Sequence, residues 1–190
     1  MSHLFHQIIA SHRKVLEETE SACKSALGVL CDIAAKTLQS GHRILLFGNG
    51  GSAADAQHIA AEFSIRFIKN RRALAGLALT TDSSVLTACG NDFGFDHIFS
   101  RQLEALGQTG DLAIAFSTSG TSPNIIKALE TARTLGITPA AFCGKDGGKL
   151  NGLADPLLIV PADETARIQE MHILLGHILC AEIENRLGLA

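Results

Sequence analysis

Five short runs of the chain are almost wholly apolar, and each breaks off into a polar or glycine-bearing loop: RILLFG (43–48), LAGLALT (74–80), DLAIAFS (111–117), TPAAFCG (138–144) and PLLIV (156–160). A strand with one wet face alternates apolar with polar residues, so unbroken apolar runs of this length mark strands covered on both faces. Between them lie segments with apolar residues three and four apart, the helical period. Two such segments precede the first run, built on Leu4, Ile8, Ile9, Val15 and Leu16, then on Ala26, Leu27, Leu30, Ile33 and Ala34; others cover about 53–67, 95–106, 122–135 and 165–186. Strands that alternate with helices and need cover on both sides predict a three-layer α/β/α sandwich around a five-stranded, mostly parallel sheet. The two leading helices are surplus to that plan and are expected to pack against another subunit. With 190 residues and no repeat or linker, the chain suits a single domain, 1–190.

Bulk properties exclude several partners. A formal charge of −3 gives no electrostatic case for nucleic acid or an anionic membrane. The apolar runs are far shorter than a membrane-spanning helix needs. The N-terminal stretch MSHLFHQIIASHRK lacks the pattern of a signal peptide, so the expected location is the cytoplasm. Five scattered cysteines without C-x-x-C spacing predict buried, reduced thiols.

In open parallel sheets, ligands bind beyond the carboxyl ends of the strands. Two loops have the chemistry for that position. GNGGS follows the first strand, with Gly48, Gly50 and Gly51 permitting close backbone approach and Ser52 adding a hydroxyl. STSGTS follows the third, with Ser117, Thr118, Ser119 and Ser122 around a glycine, Ser122 placed to cap a helix and Pro123 at its first position. Each loop opens a helix whose amides and dipole favour an anion. Hydroxyls and amides together hold a phosphate without a lysine. The rival is a dinucleotide fingerprint, since Gly48, Gly50 and Ala53 spell G-x-G-x-x-A; its acidic partner would be Asp82, some thirty residues on rather than about twenty. That rival also leaves the second loop unexplained.

His58 and Glu62 are one helical turn apart and project from the same side of the helix that GNGGS opens, a spacing suited to metal or substrate. Their neighbours are small and apolar, which predicts a largely buried helix. In the last segment, ARIQEMHILLGHILC, three polar residues interrupt an apolar run: Gln169, His172 and His177. Gln169 and His177 lie roughly 12 Å apart along a straight helix, so spacing alone favours Gln169 with His172.

Taken together, GNGGSAADAQHIAAE, ACGNDFGFDHIFSRQ, STSGTSPNIIKA, GKDGGKL and ARIQEMHILLGHIL make the chain resemble the phosphoheptose isomerase family of the sugar isomerase (SIS) fold, nearly end to end. The resemblance implies a flavodoxin-like strand order and the conversion of sedoheptulose 7-phosphate to D-glycero-D-manno-heptose 7-phosphate, the first step toward ADP-heptose for the lipopolysaccharide core. It implies a cytoplasmic homotetramer with active sites between subunits and one Zn2+ per subunit, held by His58, Glu62, Gln169 and His177. Substrate contacts would come from Asn49, Gly50, Gly51, Ser52, Glu62, Asn91, Asp92, Ser117, Thr118, Ser119, Ser122 and Gln169, with Glu62 as base and His177 as acid. The resemblance thus prefers His177 where spacing prefers His172. A second SIS group, non-catalytic regulators that bind a replication initiator protein, looks similar but typically lacks the equivalents of Glu62 and His177, both present here. Of the nearby arginines, Arg66 is the candidate for a substrate or interface contact, and Arg71 and Arg72 are expected in a solvated loop.

Overall fold

The two expected N-terminal helices are one. Helix α1 (His3–Gln39) is continuous in the computed structural model, which describes residues 3–189; of the domain expected over 1–190, residues 1, 2 and 190 lie outside the described residues. The gap in the apolar stripe between Leu16 and Ala26 is bridged by Thr19 and Cys23, buried on the same face as Val15, Leu27, Leu30, Cys31 and Ala34. The Glu-rich stretch between the two segments is the outer side of a helix that never stops.

Strands β1 (Ile44–Gly48), β2 (Gly76–Ala78), β3 (Leu112–Ser117), β4 (Thr138–Gly144) and β5 (Leu157–Val160) form one sheet in the order β2-β1-β3-β4-β5, with every neighbouring pair parallel. This is the flavodoxin-like order. Helices α2 (Gly51–Ser64) and α6 (Thr165–Arg186) join α1 on one face of the sheet, packing on Leu46, Ile114, Phe116 and Phe142. Helices α3 (Ser83–Asp92), α4 (Ser100–Leu106) and α5 (Pro123–Thr134) cover the other face, against Phe47, Ala113, Ala115 and Ala141. The middle strands carry large side chains toward the first layer and mostly small ones toward the second, so α5 lies close to the sheet.

Several boundaries differ from the sequence expectation. β2 keeps only three residues, because it is the edge strand and pairs on one side alone. α3 has no counterpart in the apolar pattern: of its residues only Cys89 is buried, and Asp82 starts it by accepting from the Val85 amide. The helix expected over 95–106 is a 3-10 turn (Phe95–His97) followed by α4. α2 ends at Ser64 rather than near Phe67, and only five of its residues are buried, so it is amphipathic rather than largely buried. All five cysteines are free and buried, and burial pushes the Cys23 and Cys143 thiols up to about 11. Among the described residues no helix is long and apolar enough to cross a membrane.

Candidate active site

The strand order turns back between β1 and β3. From β1 the chain passes into α2 on one face; from β3 it passes into α5 on the other. Their carboxyl ends lie side by side, with Gly48 paired to Phe116, and the two polar loops therefore meet. Between them is a cavity of about 310 Å³ lined by Asn49, Gly50, Gly51, Ser52, Phe116, Ser117, Thr118, Ser119 and Ser122, with Thr165 and Gln169 from the start of α6. Larger hollows, such as one of about 520 Å³ beside the β2 edge, lack this convergence of hydroxyls and helix N-termini. No lysine or arginine lines the cavity.

Two glycines make the approach possible. Gly50 adopts φ 57°, a left-handed value, and a Cβ on Gly48 would lie 2.6 Å from the Ser52 carbonyl oxygen and 2.9 Å from that of Phe116. Ser117 and Ser119 shape the second loop, their hydroxyls accepting from the amides of Gly120 and Thr121. Ser122 stands at the expected cap position, but its hydroxyl makes no capping bond and is left to the cavity. The loops are tied by a pair of reciprocal amide bonds: Asn49 Nδ2 donates to Asn124 Oδ1 at 2.9 Å, and Asn124 Nδ2 to Asn49 Oδ1 at 2.8 Å. Sequence reasoning missed Asn124. Its only signal is an amide in the first turn of α5, in a chain whose other loop also carries one.

Farther along α2 and α6, a second cluster forms. A Cβ on Gly176 would fall 2.6 Å from Ile59 Cδ1, so that glycine lets the two helices close together. Beside that contact His58 Nε2 lies 2.8 Å from His177 Nε2 and 3.4 Å from Glu62 Oε1, and the three ligand atoms fall within 4.8 Å of one another. The ring of Phe67 stacks on His177 at 5.3 Å and 21°. Burial, then the neighbouring His58, lower the His177 pKa, with Glu62 opposing them. Two imidazole nitrogens aimed at each other and at a carboxylate oxygen are a donor set that suits a divalent metal such as zinc.

His172 does not join this cluster. It is fully buried between Phe116 and Phe142, its Nε2–H donates to the Cys143 carbonyl at 3.0 Å, and Nδ1 has no partner. Burial drives its pKa down to about 4, so it is a neutral core histidine. Gln169 lines the cavity, with its amide against Gly51. Asn91 and Asp92 are exposed at the end of α3, bonded to each other, and do not line the cavity. Asp82, the acidic partner required by the dinucleotide alternative, is occupied in capping α3. Asp55, one turn before His58, has a buried carboxylate oxygen without a partner; burial pushes its pKa up to about 6, with His58 opposing. Arg66 is exposed, as is Arg72. Arg71 is not in a solvated loop: its side chain is 2 % exposed and paired with Glu184.

A family model described as the SIS domain matches residues 7–144. The chain is 58 % identical over 178 residues to a phosphoheptose isomerase of Paramagnetospirillum magneticum, covering 94 % of this chain and 93 % of that one. Its fold is similar to the solved phosphoheptose isomerase of Neisseria gonorrhoeae, with a TM-score of 0.90, 43 % identity and coverage of 95 % and 97 % of the two chains. It is also similar to that of Francisella tularensis, with a TM-score of 0.93, 35 % identity and coverage of 97 % and 100 %.

Proposed function

The chain belongs to the phosphoheptose isomerase family of SIS-domain proteins and is a sedoheptulose 7-phosphate isomerase, and from that premise we propose how its residues divide the reaction. The phosphate binds between GNGGS and STSGTS, on hydroxyls, amides and the N-termini of α2 and α5. The carbonyl end of the sugar lies at His58, Glu62 and His177. One observation carries this reading: the three converge on a stretch of α2 that begins seven residues beyond Gly51, roughly 10 Å along the helix. That is the reach of an extended sugar with phosphate at one end and carbonyl at the other.

Interconverting a ketose and an aldose moves a proton between adjacent carbons. Glu62 takes the proton from C1 as the electrons shift onto O2, and His177 gives a proton to O2, leaving an enediol. Loss of the O1 proton and return of a proton to C2 yield D-glycero-D-manno-heptose 7-phosphate. Gln169, Asn49, Ser52, Ser117, Thr118, Ser119 and Ser122 orient the chain. We assign His58, Glu62 and His177, which converge, to one Zn2+ per subunit, with Gln169 as a fourth ligand whose amide, against Gly51 in this structure, would have to turn toward them. Zinc bound there supplies a Lewis acid that polarises the substrate oxygens.

Beyond a single protomer, α1 leaves Leu4, Phe5, Ile8, Ile9 and Leu16 exposed over its first turns, which supports a homotetramer built on that helix. Asn91 and Asp92 are then residues a neighbouring subunit supplies. A solution mass of one subunit would end that assignment. A phosphorylated sugar as substrate supports a cytoplasmic location, at the first step toward ADP-heptose and the lipopolysaccharide core. The non-catalytic regulator reading gains no support, since the relatives named above are isomerases and both proton-transfer residues are present. Glu62→Gln is expected to fold and assemble yet make no aldose from sedoheptulose 7-phosphate. Near-normal turnover in that variant rejects Glu62 as the base.

A further inference from the structure

Behind Glu62 and His177 lies a buried ion pair that local sequence pattern does not reveal. Arg71 Nε and Glu184 Oε1 are 2.7 Å apart, and each side chain is 2 % exposed. The rest of the guanidinium reaches back to the end of α2: Nη2 donates to the Glu62 carbonyl at 2.7 Å and Nη1 to that of Phe63 at 2.9 Å. These belong to the last turn of the helix, where carbonyls have lost their helical partners. Glu184 accepts from the backbone amides of Phe67 at 3.1 Å and of Ile68 and Lys69 at 3.4 Å. It thereby pins the segment whose Phe67 ring stacks on His177. Burial pushes the Glu184 carboxyl up, but Arg71 and the loop amides outweigh it and hold it below the ordinary carboxylate value.

A buried ion pair is a poor device for stability alone, since well-packed apolar residues often do as well. Arg71 also donates to the Arg72 carbonyl at 2.9 Å, but the other backbone bonds of the pair fall on Glu62, Phe63 and the segment of Phe67, beside the proposed proton-transfer groups. We propose that Arg71 and Glu184 are positioning residues for the isomerase centre: Arg71 holds the backbone of Glu62, and Glu184, through Phe67, holds the ring of His177. The proposal rests on the assignment of proton transfer to Glu62 and His177. Neither residue lines the phosphate cavity, so the pair acts on turnover and leaves substrate binding alone.

The test compares Arg71→Lys, Glu184→Gln and Phe67→Leu with the parent in the full-length enzyme, measuring kcat, KM, thermal midpoint and metal content. Lysine keeps the charge but cannot span both carbonyls, so Arg71→Lys is expected to lose roughly 10- to 100-fold in kcat, the scale of a misplacement near 1 Å, with KM within about threefold. Glu184→Gln follows the same split. Phe67→Leu is expected to lose about tenfold in kcat at a midpoint close to the parent. Unchanged kcat per folded molecule in Arg71→Lys and Glu184→Gln overturns the proposal. If both fail to fold, Phe67→Leu decides, and unchanged kcat there overturns it equally. Glu62→Gln, run alongside, separates the two levels: full turnover in it removes the base assignment and this proposal with it, whereas an inactive Glu62→Gln beside an unaffected Arg71→Lys rejects the positioning role alone.

Discussion

Gly51→Ala is expected to raise the stability of this enzyme slightly while sharply lowering its activity. A Cβ on Gly51 would lie 2.6 Å from Gln169 Nε2 and 3.0 Å from its Cδ and Oε1. Those atoms are the free end of a flexible side chain, so the clash is relieved by moving the amide and not the backbone. Gly51 is the first residue of α2, in a conformation alanine shares, and such an exchange adds about 0.4–1 kcal/mol by restricting the unfolded chain. For a protein of this size that is an upward shift of roughly 1–4 °C. Carbon contacts are comfortable only from about 3.5 Å, so the Gln169 amide must retreat by about 1 Å. A displacement of that size in a group that orients the substrate costs about 100-fold in rate. Measurement of kcat/KM with sedoheptulose 7-phosphate, beside a thermal melt, should therefore show the two quantities moving in opposite directions. An alanine variant with kcat/KM within twofold of the parent at equal stability would show that the Gln169 amide has no part in catalysis.

Gly48→Ala should behave in the opposite sense, because its Cβ meets the backbone of Ser52 and Phe116, which cannot step aside; a loss above about 3 kcal/mol is expected, and a parent-like melting curve contradicts it. Asn124→Leu leaves the Asn49 amide without either bond, costing about 1–3 kcal/mol and raising KM as GNGGS loosens; an unchanged KM shows that the tie does not shape the cavity. His172→Gln keeps a donor for the Cys143 carbonyl but cannot titrate. In the parent, the folded pKa of about 4 lies below the unfolded value near 6.5, so the unfolded chain takes up a proton the core refuses. Stability is then full above pH 6.5 and is lost as pH falls toward 4, by about 3 kcal/mol, and urea midpoints at pH 7 and 4.5 should diverge less in the variant than in the parent. Equal divergence rejects His172 as the source.

All five strands were legible because both of their faces are covered, which leaves no room for polar alternation. The bounds of the edge strand β2 were not: one pairing partner supports only Gly76–Ala78, although buried Leu74 and Leu79 extend the apolar run on either side. α3 escaped notice because a helix that buries only Cys89 has no stripe to read. At the site, the cradle was legible from loops that follow strands. His172 and His177 are five residues apart, about 140° around a helix, so one must face the core and the other turn away from it. The signal was present in the stripe of Ile168, Met171, Leu175 and Leu179, on which His172 falls and His177 does not. Arg71 carried no local signal at all, since its partner stands 113 residues away and only the closed fold makes them neighbours.

The reversal between β1 and β3 also makes the site modular. α2 and α6 bring the cluster at the sugar's reactive end and pack with α1 on one hydrophobic layer, whereas α5 belongs to the other, and five strands insulate the two. Altering which sugar lengths are accepted is then a matter of redesigning α2 and α6 against a single core. The STSGTS half of the phosphate cradle, on α5, stays untouched behind the sheet, joined to the GNGGS half across the seam by the Asn49–Asn124 clasp.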